Sequence, residues 1–110
     1  MEDYKITDPA EQLVEAGDPP HPGEWIRRNV LEPFGLNVMS TARKIGMDRA
    51  TLSRVLGGEH AVSRDLAYKL EALTGVDADL IIGLQAAYDG VQDREKRARY
   101  HQEIERVSAP

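Results

Sequence analysis

The chain has 110 residues, 41% of them hydrophobic, no cysteine and a formal net charge of −5. This length suits one domain with a modest core, and the lack of cysteine excludes a disulfide framework and a thiolate metal site. The sequence contains neither an apolar run of membrane-spanning length nor a signal-peptide pattern, so we expect a cytoplasmic protein without a membrane partner.

The first 20 residues form an acidic segment, which is the first of three predicted regions. Asp8 and Pro9 are typical of a helix start, and Gly17 is typical of a helix end. Between them, Leu13 and Val14 are the only large apolar residues, too few for a helix that folds alone. The sequence therefore predicts either disorder here or a short helix that a partner orders.

The second region, residues 21–89, has the pattern of a compact, repressor-like bundle of five helices. Apolar stripes at helical spacing recur between glycine and proline stops, which predicts an all-α fold. The predicted helices span about residues 23–32, 38–45, 49–56, 64–74 and from 77 onward. The predicted N-caps of the last four are Asn37, Asp48, Ser63 and Asp77. Three aromatic residues are predicted on core-facing stripes: Trp25, Tyr68 and Tyr88.

Residues 36–58 within this region are typical of a helix-turn-helix. Ala42 leaves room for the second helix to cross closely, and Gly46 can take the positive φ that ends the first helix. Asp48 is a good N-cap for the second helix. When such a helix lies in a DNA major groove, its exposed face meets base edges, so the pattern predicts DNA binding.

The distribution of charge favours the same interpretation. Residues 37–64 carry a net charge of +3, whereas residues 1–24 carry −6, residues 25–36 carry +1 and residues 65–110 carry −3. The clearly basic segment coincides with the predicted helix-turn-helix, as a surface that faces phosphates requires. Because this charge is modest, we expect tight binding to need two copies of the chain.

The candidate DNA contacts form two groups. Arg49 can bind guanine O6 and N7 in bidentate fashion, and Thr51 and Arg54 share its helix face; the alternative is a solvated charged surface. The start of the preceding helix offers free N–H groups and polar side chains to phosphate. The base-facing candidates are Arg49, Ala50, Thr51, Ser53 and Arg54. The phosphate-facing candidates are Asn37, Ser40, Arg43, Lys44, His60 and Arg64.

The third region, residues 90–110, is predicted to be a charged helical tail. One interpretation is a solvated extension that frays towards its end. The other is that its thin apolar stripe packs on a second subunit or a partner, because helix five and the tail have more apolar residues than one small core needs. The predicted dimer contacts are Leu80, Ile81, Leu84, Tyr88, Tyr100 and Ile104.

We expect no catalytic residue, no metal site and no cofactor. His21, His60 and His101 are far apart in the sequence and have no metal-ligand spacing. The sequence contains neither a phosphate-cradling glycine loop nor a nucleophile motif. It therefore favours a binding protein over an enzyme.

Three motifs around the predicted helix-turn-helix resemble those of the HigA-type antitoxins of bacterial toxin–antitoxin modules. HPGE at residues 21–24 precedes helix one, LEP and GL between residues 31 and 36 end it, and LQAAYD at residues 84–89 lies in helix five. The resemblance covers residues 21–89. It implies a homodimer that binds its own operator, represses its operon and neutralises an mRNA-cleaving toxin encoded beside it.

The sequence departs from the family's pattern in the predicted DNA-binding region. Val38 replaces a Gln that approaches the DNA backbone or the first base, and can contact a thymine methyl instead. Thr41 replaces a large apolar residue, and Glu59 replaces a Lys that favours phosphate. Val38 and Glu59 favour an alternative, a protein-interaction module with a degenerate helix-turn-helix. A stand-alone repressor without a toxin is a third hypothesis.

The toxin is predicted to bind the acidic N-terminal segment. Toxins that cleave RNA act on a polyanion and tend to be basic, so an acidic arm can dock on the surface that binds RNA. The predicted contacts are Glu11, Leu13, Val14 and Glu15. The expected partners are therefore double-stranded operator DNA, a cognate toxin and a second copy of the chain.

Overall fold

The computed structural model describes residues 19–109, within which the regular structure is entirely helical. The predicted all-α fold is therefore confirmed for this part of the chain. The six α-helices are α1 Pro22–Ile26, α2 Val38–Ile45, α3 Arg49–Leu56, α4 Arg64–Thr74, α5 Ala78–Gln92 and α6 Arg94–Glu103. None of these helices is long and apolar enough to cross a membrane. The predicted N-terminal helix and the toxin contacts Glu11, Leu13, Val14 and Glu15 lie outside the described residues.

The HPGE motif builds the start of α1. The Nδ1 atom of His21 accepts a hydrogen bond from the backbone N–H of Gly23 at 3.0 Å, which caps the helix. Pro22 is the first helical residue, where its missing N–H breaks no helical bond. A Cβ atom on Gly23 would lie 2.5 Å from the carbonyl oxygen of Val55, so only glycine lets α1 approach the end of α3 this closely.

α1 does not continue as the plain helix predicted over residues 23–32. It opens into a π-helical turn at Arg27–Leu31 and closes as a 3-10 turn at Glu32–Phe34. The N–H of Glu32 donates to the carbonyl of Arg27, five residues back. Of the two residues predicted to end this helix, Pro33 lies at the start of the 3-10 turn, where no N–H is needed, and Gly35 ends that turn with φ of 70°.

The pair formed by α2 and α3 begins and ends at the predicted residues. Asn37 and Ser40 form a capping box, in which the N–H of Ser40 donates to Asn37 Oδ1 at 2.8 Å and the N–H of Asn37 donates to Ser40 Oγ at 3.0 Å. Gly46 ends α2 with φ of 69°, and Asp48 caps α3. Ala42 is buried, as expected for the residue where two helices approach closely.

The core joins the five helices α1 to α5 and the π-helical turn at Arg27–Leu31. The largest of its fully buried aliphatic side chains are Ile26, Leu31, Leu52, Leu70, Ile81 and Leu84. Burying one such side chain contributes about 1.5–3 kcal/mol to stability. These contacts fix the position of α3, whose inner face carries Leu52, Val55 and Leu56.

The LQAAYD motif ties α5 to the turn that precedes α4. Gln85 is buried, and its Oε1 atom accepts the N–H of Val62 at 2.8 Å, while its Nε2 atom donates to Asp89 at 2.9 Å. Val62 precedes Ser63, whose Oγ atom caps α4 by accepting the N–H of Leu66. The motif therefore satisfies a buried backbone N–H that would otherwise cost about 1–3 kcal/mol.

Two of the three aromatic residues predicted on core-facing stripes are partly buried, Trp25 and Tyr88, but the prediction is wrong for Tyr68. Tyr68 is 50% exposed. Successive helical residues turn by about 100°, so Tyr68 lies opposite Leu66 and Leu70, which face the core. α6 occupies the predicted tail as a helix, and none of its residues is buried.

Candidate nucleic-acid interface

The outer face of α3 carries the side chains predicted to read bases. Its inner face is buried in the core, and Asp48 fixes its first turn, so the outer side chains stand on a rigid helix. All five base-facing candidates are exposed: Arg49, Ala50, Thr51, Ser53 and Arg54. Four of these line one shallow depression, which we call the α3 depression: Arg49, Ala50, Ser53 and Arg54.

The two arginines of the α3 depression are available to a ligand. Within residues 19–109, neither Arg49 nor Arg54 uses its guanidinium in a hydrogen bond or an ion pair. A guanidinium has five donors in a fixed fork, which matches the acceptor pair of guanine or two phosphate oxygens. The depression therefore presents two guanidinium groups, free of hydrogen bonds and ion pairs among the described residues, beside the small side chains of Ala50 and Ser53.

Thr51 lies beside this depression, and its hydroxyl proton is donated to Asp48. Its N–H and its hydroxyl both donate to Asp48 Oδ2, at 3.0 and 3.1 Å. These bonds, the backbone one first, lower the pKa of the Asp48 carboxyl, so that it stays ionised and acts only as an acceptor. What Thr51 still offers a ligand is its methyl group and the acceptor capacity of its oxygen.

The polar side chains at the start of α2 form hydrogen bonds within the helix cap, so they offer less to phosphate than the sequence predicts. The Ser40 hydroxyl accepts the Asn37 N–H and lies 3.3 Å from the Asn37 carbonyl, so it serves the helix cap. Val38 packs partly against the core. Val38 also lines a second depression, together with Arg27, Ser53, Leu56 and Gly57, which we call the α1 depression.

Arg27 is the residue of this surface that sequence reasoning missed. It lies in the α1 depression because α1 crosses the end of α3 at Gly23. The sequence shows only an arginine on the solvent side of a predicted helix. Its approach to Ser53 depends on how three helices pack, which no local pattern encodes.

The remaining phosphate-facing candidates are exposed but dispersed. Lys44 lines a third depression with Ile45 and the α4 residues Lys69, Ala72 and Leu73, which shares no residue with the α1 or α3 depression. Arg43, His60 and Arg64 are exposed at the end of α2 and around the start of α4. Their contact with DNA stays a prediction.

The predicted dimer contacts divide into two groups. Ile81 is 0% and Leu84 2% exposed, because both complete the core of the single chain, so the prediction that they face a second subunit is corrected. Leu80 and Tyr88 are partly buried, and the Tyr88 ring packs edge-on against His21 at 5.1 Å between centroids. Tyr100 and Ile104 are exposed and line a depression on the tail. These last two retain surface for a partner.

Within the described part of the chain, no group of three or more His, Asp or Glu side chains is arranged to hold a metal ion.

No protein-family model matches the sequence. A curated relative, virulence-associated protein A of Dichelobacter nodosus, is 40% identical over 77 residues, which are 69% of this chain and 76% of the relative.

Two solved structures share the fold. Antitoxin HigA of Pseudomonas aeruginosa, solved with the higBA promoter, matches with a TM-score of 0.72 and 24% identity over 82% of this chain and 99% of its own. The Pseudomonas aeruginosa protein PA4674, in complex with its operator DNA, matches with a TM-score of 0.71 and 24% identity over 81% of this chain and 99% of its own. The chain therefore belongs to the family of virulence-associated protein A and has the fold of the HigA-type antitoxins, as its three sequence motifs indicated.

Proposed function

We propose that this protein is a sequence-specific DNA-binding antitoxin, which represses its own operon and neutralises a cognate mRNA-cleaving toxin by direct binding. The observation that carries the DNA-binding part is the α3 depression, where the exposed guanidinium groups of Arg49 and Arg54 make no hydrogen bond or ion pair among the described residues. Two solved structures of similar fold were obtained with promoter or operator DNA, which supports the same partner for this chain.

In this proposal α2 and α3 are a helix-turn-helix and α3 enters the major groove. An eight-residue helix such as α3 is about 12 Å long, and the major groove is about 12 Å wide. Arg49, in the first turn, then reaches guanine O6 and N7, and Arg54 reaches a base or phosphate further along the groove. The start of α2 lies against the backbone.

Two copies of the chain are part of the proposal. The net charge of +3 on residues 37–64 neutralises few phosphates, so one copy holds DNA weakly. A homodimer presents two α3 helices to half-sites about 34 Å apart or a multiple of that distance. The proposed dimer contacts that remain outside the fully buried core are Tyr100 and Ile104 on the tail and the partly buried Leu80 and Tyr88 on α5.

The antitoxin part of the proposal is supported by the fold, which this chain shares with antitoxins. The DNA-binding unit is residues 21–89, and the acidic segment before it, with Glu11 and Glu15, is the proposed toxin contact. The test is the affinity of the neighbouring gene's product for the full chain and for a chain without residues 1–20. Undiminished affinity of the shortened chain would exclude this segment as the contact.

The DNA-binding part is tested by fluorescence anisotropy with a labelled duplex from the protein's own upstream region and a shuffled duplex. We expect specific binding with a steep salt dependence, and Arg49→Ala should weaken it by about 1–3 kcal/mol. Arg28→Ala removes the same charge from the turn that follows α1, outside the α1 and α3 depressions, and serves as the control. Equal affinity for both duplexes would instead favour the protein-interaction module, for which Val38 and Glu59 are the favourable features.

A further inference from the structure

The α1 depression lies between three helices and combines different kinds of side chain. Arg27 comes from the π-helical turn that follows α1, Val38 from the first turn of α2, and Ser53, Leu56 and Gly57 from the end of α3. Ser53 also lines the α3 depression, so the two depressions adjoin. Among residues 19–109, no acidic side chain lines either of them.

The backbone at Arg27 is unusual. Arg27 is the first residue of the π-helical turn, and its carbonyl accepts the N–H of Glu32, five residues further along the chain. Single π-helical turns inside helices are rare and often occur at functional sites. This turn buries Val30 and Leu31 while leaving Arg27 exposed beside α3.

Glu24 positions the Arg27 guanidinium without consuming it. One Glu24 oxygen accepts a bond from Arg27, and the other accepts a bond from Arg28 at 2.9 Å. Two cations therefore share one carboxylate, which leaves the group with a net positive charge. Among residues 19–109, Arg27 uses one of its five N–H donors in a bond to Glu24, which leaves four.

We propose that Arg27 binds the DNA backbone, with its guanidinium on a phosphate that flanks the bases read by α3. A DNA backbone unit joins an anionic phosphate to an apolar sugar. The α1 depression offers a guanidinium and the Ser53 hydroxyl to the phosphate, and the Val38 side chain to the sugar. This inference rests on the proposed function, and Arg27 contributes affinity rather than sequence preference because phosphates are the same at every base pair.

Arg28 provides a matched control within the same turn. It pairs with the same Glu24 carboxylate, but its side chain is 72% exposed, against 50% for Arg27, and it does not line the α1 depression. Arg27→Gln and Arg28→Gln each remove one charge and one ion pair to Glu24. The two changes therefore remove the same kind of group from one turn, and they differ in whether the removed charge faces the proposed phosphate.

The experiment measures the dissociation constants of the full chain and the variants Arg27→Gln, Arg27→Lys and Arg28→Gln over a range of salt concentrations. The probes are a duplex that the wild-type chain selects from a random-sequence pool and a shuffled duplex of the same composition. We expect Arg27→Gln to weaken binding to both duplexes by about tenfold. The slope of log affinity against log salt should become shallower by about 0.9, the value for one phosphate that is no longer neutralised. Arg27→Lys keeps the slope, since the charge remains.

The outcomes separate this inference from the proposed function. If the wild-type chain selects no duplex, the proposed function fails and the role of Arg27 fails with it. If the wild-type chain selects a duplex but Arg27→Gln behaves like Arg28→Gln, only the role of Arg27 is overturned. Weaker binding to the selected duplex alone would also overturn it, since that result indicates base reading. Thermal unfolding of each variant verifies that the fold is retained.

Discussion

Thr51 donates both its backbone N–H and its hydroxyl to a single atom, Oδ2 of Asp48, at 3.0 and 3.1 Å. The same carboxylate therefore caps α3 and orients a side chain on its outer face. This pair therefore contributes both to the stability of the fold and to the proposed reading of bases. The free energy of unfolding measures the first, and the base preference in DNA binding measures the second.

The first prediction concerns the loss of stability at low pH. The bonds from Thr51 hold the pKa of Asp48 below its ordinary value of 3.8, and the bond from Arg27 is the first cause of a lowered pKa at Glu24. Both carboxylates are more acidic in the folded chain, so their contribution is present above their unfolded pKa values and disappears as the pH falls through the folded ones. We expect the free energy of unfolding to decrease between about pH 5 and pH 2.

Asp48→Asn isolates the contribution of Asp48, because asparagine is an equally good N-cap but does not titrate. Urea unfolding of the two proteins over this pH range measures it. The wild-type chain should lose more stability than the variant as the pH falls. Parallel pH profiles would show that the Asp48 charge does not stabilise the cap.

The second prediction concerns the bases that Thr51 can read. Since its proton is committed to Asp48, Thr51 can accept a bond from adenine N6 or cytosine N4 and can touch a thymine methyl, but it cannot donate to guanine. The measurement is the selection of DNA sequences from a random pool by the wild-type chain, Thr51→Val and Thr51→Ser. The base pair that Thr51 contacts is the one at which the base preference of the variants differs from that of the wild-type chain. Valine keeps the methyl group and removes the acceptor, and serine does the reverse. A wild-type preference for the guanine edge at that base pair would contradict this orientation.

Local chemistry explains how much of this surface could be predicted from the sequence. Asn37, Gly46 and Asp48 act within a few residues of their partners, through caps and a positive φ, so short patterns were sufficient to place α2 and α3. The π-helical turn at Arg27 and the α1 depression depend instead on how α1 packs against α3. No spacing along the chain encodes that packing.

Apolar residues buried in the core of one chain and apolar residues buried between two chains also have the same pattern in the sequence. Ile81 and Leu84 lie on an apolar stripe of α5 that suits either role, and the folded chain places both in its own core. The prediction for Tyr68 was wrong in the opposite direction, because it placed in the core a residue that is exposed. Tyr68 lies in a helix with a strong apolar stripe but on the side of the helix away from that stripe.

The third prediction concerns Thr41, which is fully buried in α2. Its Oγ1 atom has no hydrogen-bond partner among the described residues. A buried hydroxyl without a partner costs about 1–3 kcal/mol. Thr41→Val keeps the shape of the side chain and removes the hydroxyl, so we expect a more stable protein in urea unfolding. Thr51→Val is the exposed counterpart, where the hydroxyl is bonded and the same change should not stabilise. A decrease in the stability of Thr41→Val would indicate that the hydroxyl is satisfied.

The fourth prediction uses two glycines that differ in their surroundings. A Cβ atom on Gly23 would lie 2.5 and 2.6 Å from the carbonyl oxygens of Val55 and Leu56. A Cβ atom on Gly83 in α5 would have no described atom within 4 Å apart from its chain neighbours and the nearby backbone of its own helix. Gly23→Ala must therefore push α1 away from α3, at a cost of about 1–3 kcal/mol. Gly83→Ala should instead stabilise the helix by about 0.5–1 kcal/mol. Urea unfolding measures both.

The same two variants also test whether the packing of α1 on α3 supports the proposed function. Displacing α1 moves Arg27 relative to Ser53, so Gly23→Ala should weaken DNA binding at salt concentrations where it remains folded, and Gly83→Ala should not. Equal stability of the two variants would show that the chain relieves the close approach at Gly23 without separating the helices. If Gly23→Ala were destabilised but bound DNA with unchanged affinity, the position of α1 would matter for folding alone.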